Sequence, residues 1–166
     1  AIFWSLILIY FAHDILKIIK KDEVFSIGKL FSIFALIYIS YKINRYGEFG
    51  NDAAGHLTIF YIVSKFIYHK EGDKINFYII CVLCVFAIAN KIFFAISLII
   101  PFYILVREKL NILKIFFSLP TFLLMLWLIK NILISGCAIY PIKETCFDNL
   151  TWTNFDQIER EAVSGE

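Results

Sequence analysis

The polar segment Arg45–His56, RYGEFGNDAAGH, holds residue types that could do chemistry. It contains two carboxylates, an arginine, a histidine and three glycines, and apolar runs flank it on both sides. Asp52 stands between Asn51 and two alanines, so neighbouring side chains give its carboxylate little steric cover. The carboxylate could act as a general base or hold a divalent cation that bridges a lipid diphosphate. An aspartate before a helical run is also a common N-cap, and the two roles are compatible.

His56 follows Asp52 by four residues, so a helix that begins at Asp52 would place both side chains on one face. Such a pair could share a proton or a metal ion, although two ligands are too few for a zinc site. The alternative is a histidine at a wet, half-buried boundary. Arg45 could bind a phosphate group or form a solvated ion pair with Glu48, the second acidic candidate in the segment.

The four cysteines fall into two kinds. Cys81 and Cys84 lie in an apolar run with no histidine or acid nearby, and we expect them to be small buried hydrophobic side chains. Cys137 and Cys146 flank a segment in which Pro141 favours a turn. A disulfide between them is permitted in an oxidising compartment, and it would contribute about 2–3 kcal/mol by closing a loop of about ten residues.

The composition predicts an all-α, polytopic helical membrane protein. Of the 166 residues, 60% are hydrophobic, and the mean hydropathy is +0.76, whereas soluble domains usually have about 45–50% apolar residues. The apolar residues come in runs rather than in one-face stripes, which favours membrane-spanning helices. The net charge of +2 is too small to argue for nucleic acid. We therefore expect membrane lipid, and no nucleic acid, among the partners.

About four to six transmembrane or interfacial helices are expected, since a span needs about 20 residues. One apolar run is short enough either to cross or to lie in the interface. Two others could form one strongly tilted helix, but we favour a hairpin with Asn90 and Lys91 at its tip, where Lys91 either snorkels or contacts a phosphate. After a partial helix at residues 1–12, the runs cover residues 25–43, 57–68 (the short one), 75–89, 92–106 (the hairpin) and 115–133.

Lysine-rich short loops mark the cytoplasmic side of a membrane protein, so the Arg45–His56 segment and the C-terminal tail are expected on the outer side. The domain organisation that follows is a helical region at 1–134 and an extracytoplasmic segment at 135–166. The chain starts without Met inside an apolar run and ends in a polar stretch, which predicts a piece of a longer protein.

Two stretches carry a resemblance to known proteins: Lys130–Trp152, KNILISGCAIYPIKETCFDNLTW, and the Arg45–His56 segment with the apolar run after it. Together they resemble a family of uncharacterised bacterial multi-pass membrane proteins associated with surface-polysaccharide loci. That family is similar to C-type glycosyltransferases and O-antigen polymerases. The resemblance implies that the first outer loop carries an essential acidic residue, which here would be Asp52 or Glu48.

The expected function is cell-envelope polysaccharide assembly at a bacterial inner membrane, with sugars transferred or polymerised from a polyprenyl-linked donor at the outer face. Asp52, Glu48 and His56 would be the catalytic candidates, and Arg45 and Lys91 would bind the donor's phosphates. No motif requires a cofactor, and a divalent cation at Asp52 is the open option. The alternatives are a transporter or flippase for lipid-linked glycans and a non-catalytic membrane scaffold.

Overall fold

The computed structural model describes residues 2–19, 26–46, 52–111, 115 and 118–164, and all regular secondary structure in these ranges is helical. An isolated antiparallel bridge pairs Cys137 with Cys146. The chain divides into two compact units, residues 1–112 and residues 113–166. The last apolar helix therefore belongs with the polar C-terminal segment, whereas composition grouped it with the other apolar runs.

Polar residues mark both ends of the fourth helix of the first unit, Lys74–Asn90. The carboxylate of Asp73 caps the fourth helix by accepting a hydrogen bond from the backbone N–H of Asn76 at 3.0 Å. That helix ends at the predicted break, since Lys91 is extended. The elements are α1 (Ile2–Ile19), α2 (Ile27–Tyr46), α3 (Asp52–Ile67), α4 (Lys74–Asn90), a 3-10 helix (Ile92–Leu98) and α5 (Ile99–Arg107).

Apolar side chains from α1, α2 and α3 form a core in the first unit. Aromatic rings surround this core in tilted or edge-on contacts, such as Tyr10 against Tyr61 at 5.1 Å between ring centroids. Full burial of each large apolar side chain stabilises the fold by about 1.5–3 kcal/mol. The buried members of the core are Ile7, Phe11, Ala35, Ile39 and Leu57.

Asp14 lies inside α1, because the helix continues to Ile19. Its carboxylate accepts hydrogen bonds from the hydroxyls of Ser32 at 2.6 Å and Tyr68 at 2.9 Å. The partial helix expected at residues 1–12 therefore ended too early, because the chain stays helical through Asp14 to Ile19. Partners on α2 and just after α3 satisfy the carboxylate inside the unit, so the helix does not need to end there.

The second unit contains α6 (Leu119–Ser135), a short 3-10 helix (Lys143–Thr145) and α7 (Phe155–Ser164). Pro120 occupies the first turn of α6, where a missing backbone N–H costs no helical hydrogen bond. Gly136 ends α6 in the left-handed region with φ 76°, a conformation that glycine adopts without steric cost.

The membrane prediction is wrong: none of the helices in the described ranges combines the length and the apolar character that a membrane crossing requires. α4 and α6 have 17 residues each and α3 has 16. The long apolar stretch from residue 75 to 106 is broken at Lys91. This finding overturns the class of polytopic membrane protein, the location in a bacterial inner membrane, and the membrane part of the description as a transmembrane, glycosyltransferase-like protein of polysaccharide biosynthesis. Sugar transfer itself is not tested by it. The all-helical part of the fold prediction is confirmed for the described residues.

Candidate functional site

The C-terminal end of α6 forms one wall of a cavity in the second unit. The N–H of Gly136 donates to the carbonyl of Ile132 at 2.9 Å, which closes the helix. A Cβ at position 136 would meet Thr153 Oγ1 at 1.9 Å. Glycine is therefore needed here both for the turn and for the close approach of residue 153 to the helix end.

A disulfide-closed loop follows α6. Cys137 and Cys146 form a disulfide bond, and the N–H of Ala138 donates to the carbonyl of Thr145 at 2.9 Å. Thr145 Oγ1 also accepts from the N–H of Ile139 at 3.0 Å. These bonds fix the loop that carries Tyr140 to the cavity. A closed loop of this size stabilises the folded unit by about 2–3 kcal/mol.

Trp152 and Asn154 lie in the segment between the disulfide loop and α7. The indole Nε1–H of Trp152 donates to the carbonyl of Ile132 on α6 at 3.2 Å, yet the side chain remains 48% exposed. Asn154 accepts a hydrogen bond from the N–H of Gln157 at 3.1 Å through Oδ1, and this caps α7. A half-exposed aromatic ring is thus held in one orientation beside polar groups.

The cavity between these elements has a volume of about 330 Å³. This value lies at the small end of the range for small-molecule sites. Its wall combines an indole, a phenol, side-chain amides, a serine hydroxyl, an ammonium and a carboxylate. The lining residues are Lys130, Asn131, Ile134, Ser135, Tyr140, Trp152, Asn154, Gln157, Ile158 and Glu161.

Glu161 is the charged acceptor in this cavity. Burial, together with the hydrogen bond to Glu161, raises the pKa of Tyr140 above its usual value of 10.0. The phenol therefore stays protonated at neutral pH and donates to the carboxylate. Gln157 Nε2 donates to Glu161 Oε1 at 3.4 Å. Donors on the loop and on α7 thus orient the carboxylate in the cavity wall.

The acidic candidates and the arginine of the Arg45–His56 segment belong to the first unit. Asp52 is the first residue of α3, and Arg45 lies in the last turn of α2. The side chains of Asp52 and Arg45, and the whole of Glu48, lie outside the described residues. Their predicted roles as base, cation ligand and phosphate contact therefore stay predictions.

His56 is half-buried on α3, and its ring packs edge-on against Phe94 of the 3-10 helix with 5.4 Å between centroids. Gly55 permits this approach, because a Cβ there would meet the Phe94 ring at 1.8 Å. Lys91 is exposed at the joint before the 3-10 helix. The catalytic role of His56 and the phosphate contact of Lys91 stay predictions. Among the described residues, no three side chains of the ligating types are grouped to hold a metal ion.

Sequence reasoning missed a polar cluster that joins the α3–α4 turn to the end of α5. Glu108 Oε1 lies 2.7 Å from His69 Nε2, and Glu108 Oε2 accepts from the N–H of Gly72 at 3.3 Å. Asn76 Nδ2 lies 3.1 Å from His69 Nδ1 and donates to the carbonyl of Lys65 at 3.0 Å. With both ring nitrogens engaged, His69 serves to hold the turn. The partners are 39 residues apart, so no local pattern could reveal them.

A family model described as a domain of unknown function (DUF8201) matches residues 1–163. The chain therefore belongs to this family, and the match spans both units. No curated protein and no solved structure matches the chain.

Proposed function

We propose that this protein binds a saccharide in the cavity of its second unit. The observation that carries the proposal is Trp152, whose half-exposed indole is fixed by a hydrogen bond to α6 and lines the cavity. A sugar ring has an apolar C–H face that packs on an aromatic ring and hydroxyl groups around its edge. An aromatic wall bordered by polar side chains complements both parts of such a ligand.

The polar lining supplies the two kinds of hydrogen-bonding group that sugar hydroxyls need. The amides of Asn131, Asn154 and Gln157 can each donate and accept, since each has an NH₂ group and a carbonyl oxygen. Lys130 is a pure donor, and the carboxylate of Glu161 is a pure acceptor. A hydroxyl both donates and accepts, so this mixture fits a polyol better than an anion or a purely apolar ligand.

The cavity supports binding rather than hydrolysis. Glycoside hydrolases generally use a pair of carboxyl groups on opposite sides of the scissile bond. Among the described residues that line this cavity, Glu161 alone carries a carboxylate. A single oriented acceptor can select a hydroxyl but does not provide both the acid and the base of that mechanism.

The proposal keeps the ligand class that the sequence resemblance implied and leaves the reaction open. Transfer of a sugar from a polyprenyl-linked donor stays a prediction, because the side chains of its candidate residues Asp52 and Glu48 lie outside the described part of the chain. Saccharide binding does not depend on those residues and can be tested separately.

Calorimetric titration of the whole chain with glucose, galactose, mannose and N-acetylglucosamine tests the proposal. We expect at least one sugar to bind, and Trp152→Ala to weaken its affinity about tenfold or more, since loss of an aromatic contact costs about 0.5–1.5 kcal/mol beyond the lost buried area. Trp127→Ala is the matched control, because Trp127 lies on α6 but does not line the cavity.

Circular dichroism of both variants separates a binding defect from loss of the fold. Binding that survives Trp152→Ala unchanged, or the absence of binding to every sugar of the panel, would contradict the proposal.

A further inference from the structure

A second cavity adjoins the first along the segment between the disulfide loop and α7. It is a shallow depression of about 550 Å³ that is widely open to solvent, and it is lined by the consecutive residues Thr151, Trp152, Thr153, Asn154, Phe155 and Asp156. Trp152 and Asn154 also line the cavity of about 330 Å³. Because two residues belong to both linings, the two cavities are neighbours that share the Trp152–Asn154 wall.

The second cavity has the same kind of lining as the first. Phe155 contributes an aromatic ring, Thr151 an exposed hydroxyl and Asp156 an exposed carboxylate. Thr153 Oγ1 donates to the carbonyl of Phe147 at 3.0 Å, which holds this part of the wall in place. An aromatic surface with hydroxyl and carboxylate groups beside it again complements a ring with an apolar face and a polar edge.

We infer that the site takes a short oligosaccharide rather than a single sugar, with consecutive sugar units on the two sides of the Trp152–Asn154 wall. The inference rests on the proposed saccharide function and adds the length of the ligand to it. Covalently linked sugars suit this arrangement, because the first unit to bind holds the second at high effective concentration beside its own cavity.

The second cavity would then raise the affinity for longer ligands. A sugar unit there can form hydrogen bonds with Thr151 and Asp156, and two such bonds would tighten binding about tenfold, given their typical net contributions. A single sugar occupies one cavity and gains nothing from the other. The ratio of disaccharide affinity to monosaccharide affinity therefore distinguishes a site that holds one sugar unit from a site that holds two linked units.

Titration of the whole chain with glucose and N-acetylglucosamine, each beside its 1,4-linked disaccharide and trisaccharide, tests the inference. We expect a disaccharide to bind about tenfold more tightly than its monosaccharide. Thr151→Ala and Asp156→Asn should each remove most of that gain, so that the ratio of disaccharide to monosaccharide affinity falls towards one. Asp148→Asn is the control, because Asp148 is also exposed on the second unit but lines neither cavity.

Equal affinities for one, two and three sugar units would overturn the inference while leaving the proposed saccharide function intact. Variants in the second cavity that leave the disaccharide gain unchanged would overturn it as well. Failure of all these ligands to bind would instead refute saccharide binding itself, and the inference with it. Two variants are used because Asp156 lies in the first turn of α7, where its loss can weaken the helix, whereas Thr151 lies outside that helix.

Discussion

Replacement of Glu108 by alanine tests the polar cluster that holds the first unit together at the α3–α4 turn. The side chains of Glu108 and His69 are 9% and 7% exposed, and they are joined at 2.7 Å. The variant removes the acceptor of a largely buried imidazole N–H and of the backbone N–H of Gly72. Water can replace the second bond, since Gly72 is exposed, but it reaches the buried ring poorly.

The expected loss of stability follows from the burial of the His69 ring, since the exposed Gly72 can bind water instead. A hydrogen bond to a charged group contributes about 1.5–3 kcal/mol, so Glu108→Ala should lower the free energy of unfolding of the first unit by about 2 kcal/mol. Glu71 provides the matched control, because its ion pair with Arg107 has nearly the same geometry, at 2.6 Å, but its side chain is 70% exposed. Exposed pairs contribute about 0–1 kcal/mol, so Glu71→Ala should have little effect.

Urea denaturation followed by far-ultraviolet circular dichroism measures both losses. Amide hydrogen exchange at Gly72 and Asn76 then shows whether the turn opens locally before the unit unfolds. Glu108→Gln should lie between wild type and Glu108→Ala, because the amide oxygen still accepts but carries no charge. Equal losses for Glu108→Ala and Glu71→Ala would refute the view that burial of the His69 pair gives it its larger contribution.

Three further predictions concern groups in both units. Burial, and then the hydrogen bond to Asp14, raises the pKa of Tyr68 from 10.0 to about 12. The stability contributed by its neutral phenol is therefore complete below pH 10 and is lost as the pH rises towards 12, so Tyr68→Phe should reduce the alkaline loss of stability measured by urea denaturation. Burial raises the pKa of Cys81 to about 12 and that of Cys84 to about 11. Iodoacetamide at pH 8 should therefore alkylate neither thiol until urea unfolds the chain, and rapid alkylation of the native protein would contradict this burial. Gly136→Ala forces an alanine into φ 76° with a clash against a threonine side chain, so we expect a loss of at least about 1–2 kcal/mol in the second unit, measured by thermal unfolding. An unchanged unfolding temperature for that variant would show that the α6 end can relax around a side chain.

Local sequence signals predicted the features that depend on neighbouring residues. The break at Asn90 and Lys91 follows from two polar residues between apolar runs, and α4 does end there. The Cys137–Cys146 bond joins residues with a sequence separation of 9 across a turn that Pro141 favours. In both cases the residues that determine the structure lie within one short segment.

Features that depend on distant partners were not accessible in this way. The first helix was expected to end at residue 12, because the hydroxyl groups that donate to the Asp14 carboxylate lie on other elements, and Tyr68 is 54 residues away. The overall hydropathy predicted membrane spans, but it contains no information on where helices end or which face packs inward. The cavity escaped notice for the same reason, since Lys130 and Glu161 come from helices at opposite ends of the second unit's sequence.

The most direct test of saccharide binding is the indole N–H spectrum of the ¹⁵N-labelled chain during titration with a sugar. The chain has three tryptophans, so each gives one Nε1–H signal, and Trp152→Ala assigns the one at the cavity. We predict that the Trp152 signal shifts in a saturable manner while that of Trp127 stays in place. A Trp152 signal that remains fixed at saturating concentrations of every tested sugar and oligosaccharide would contradict the account.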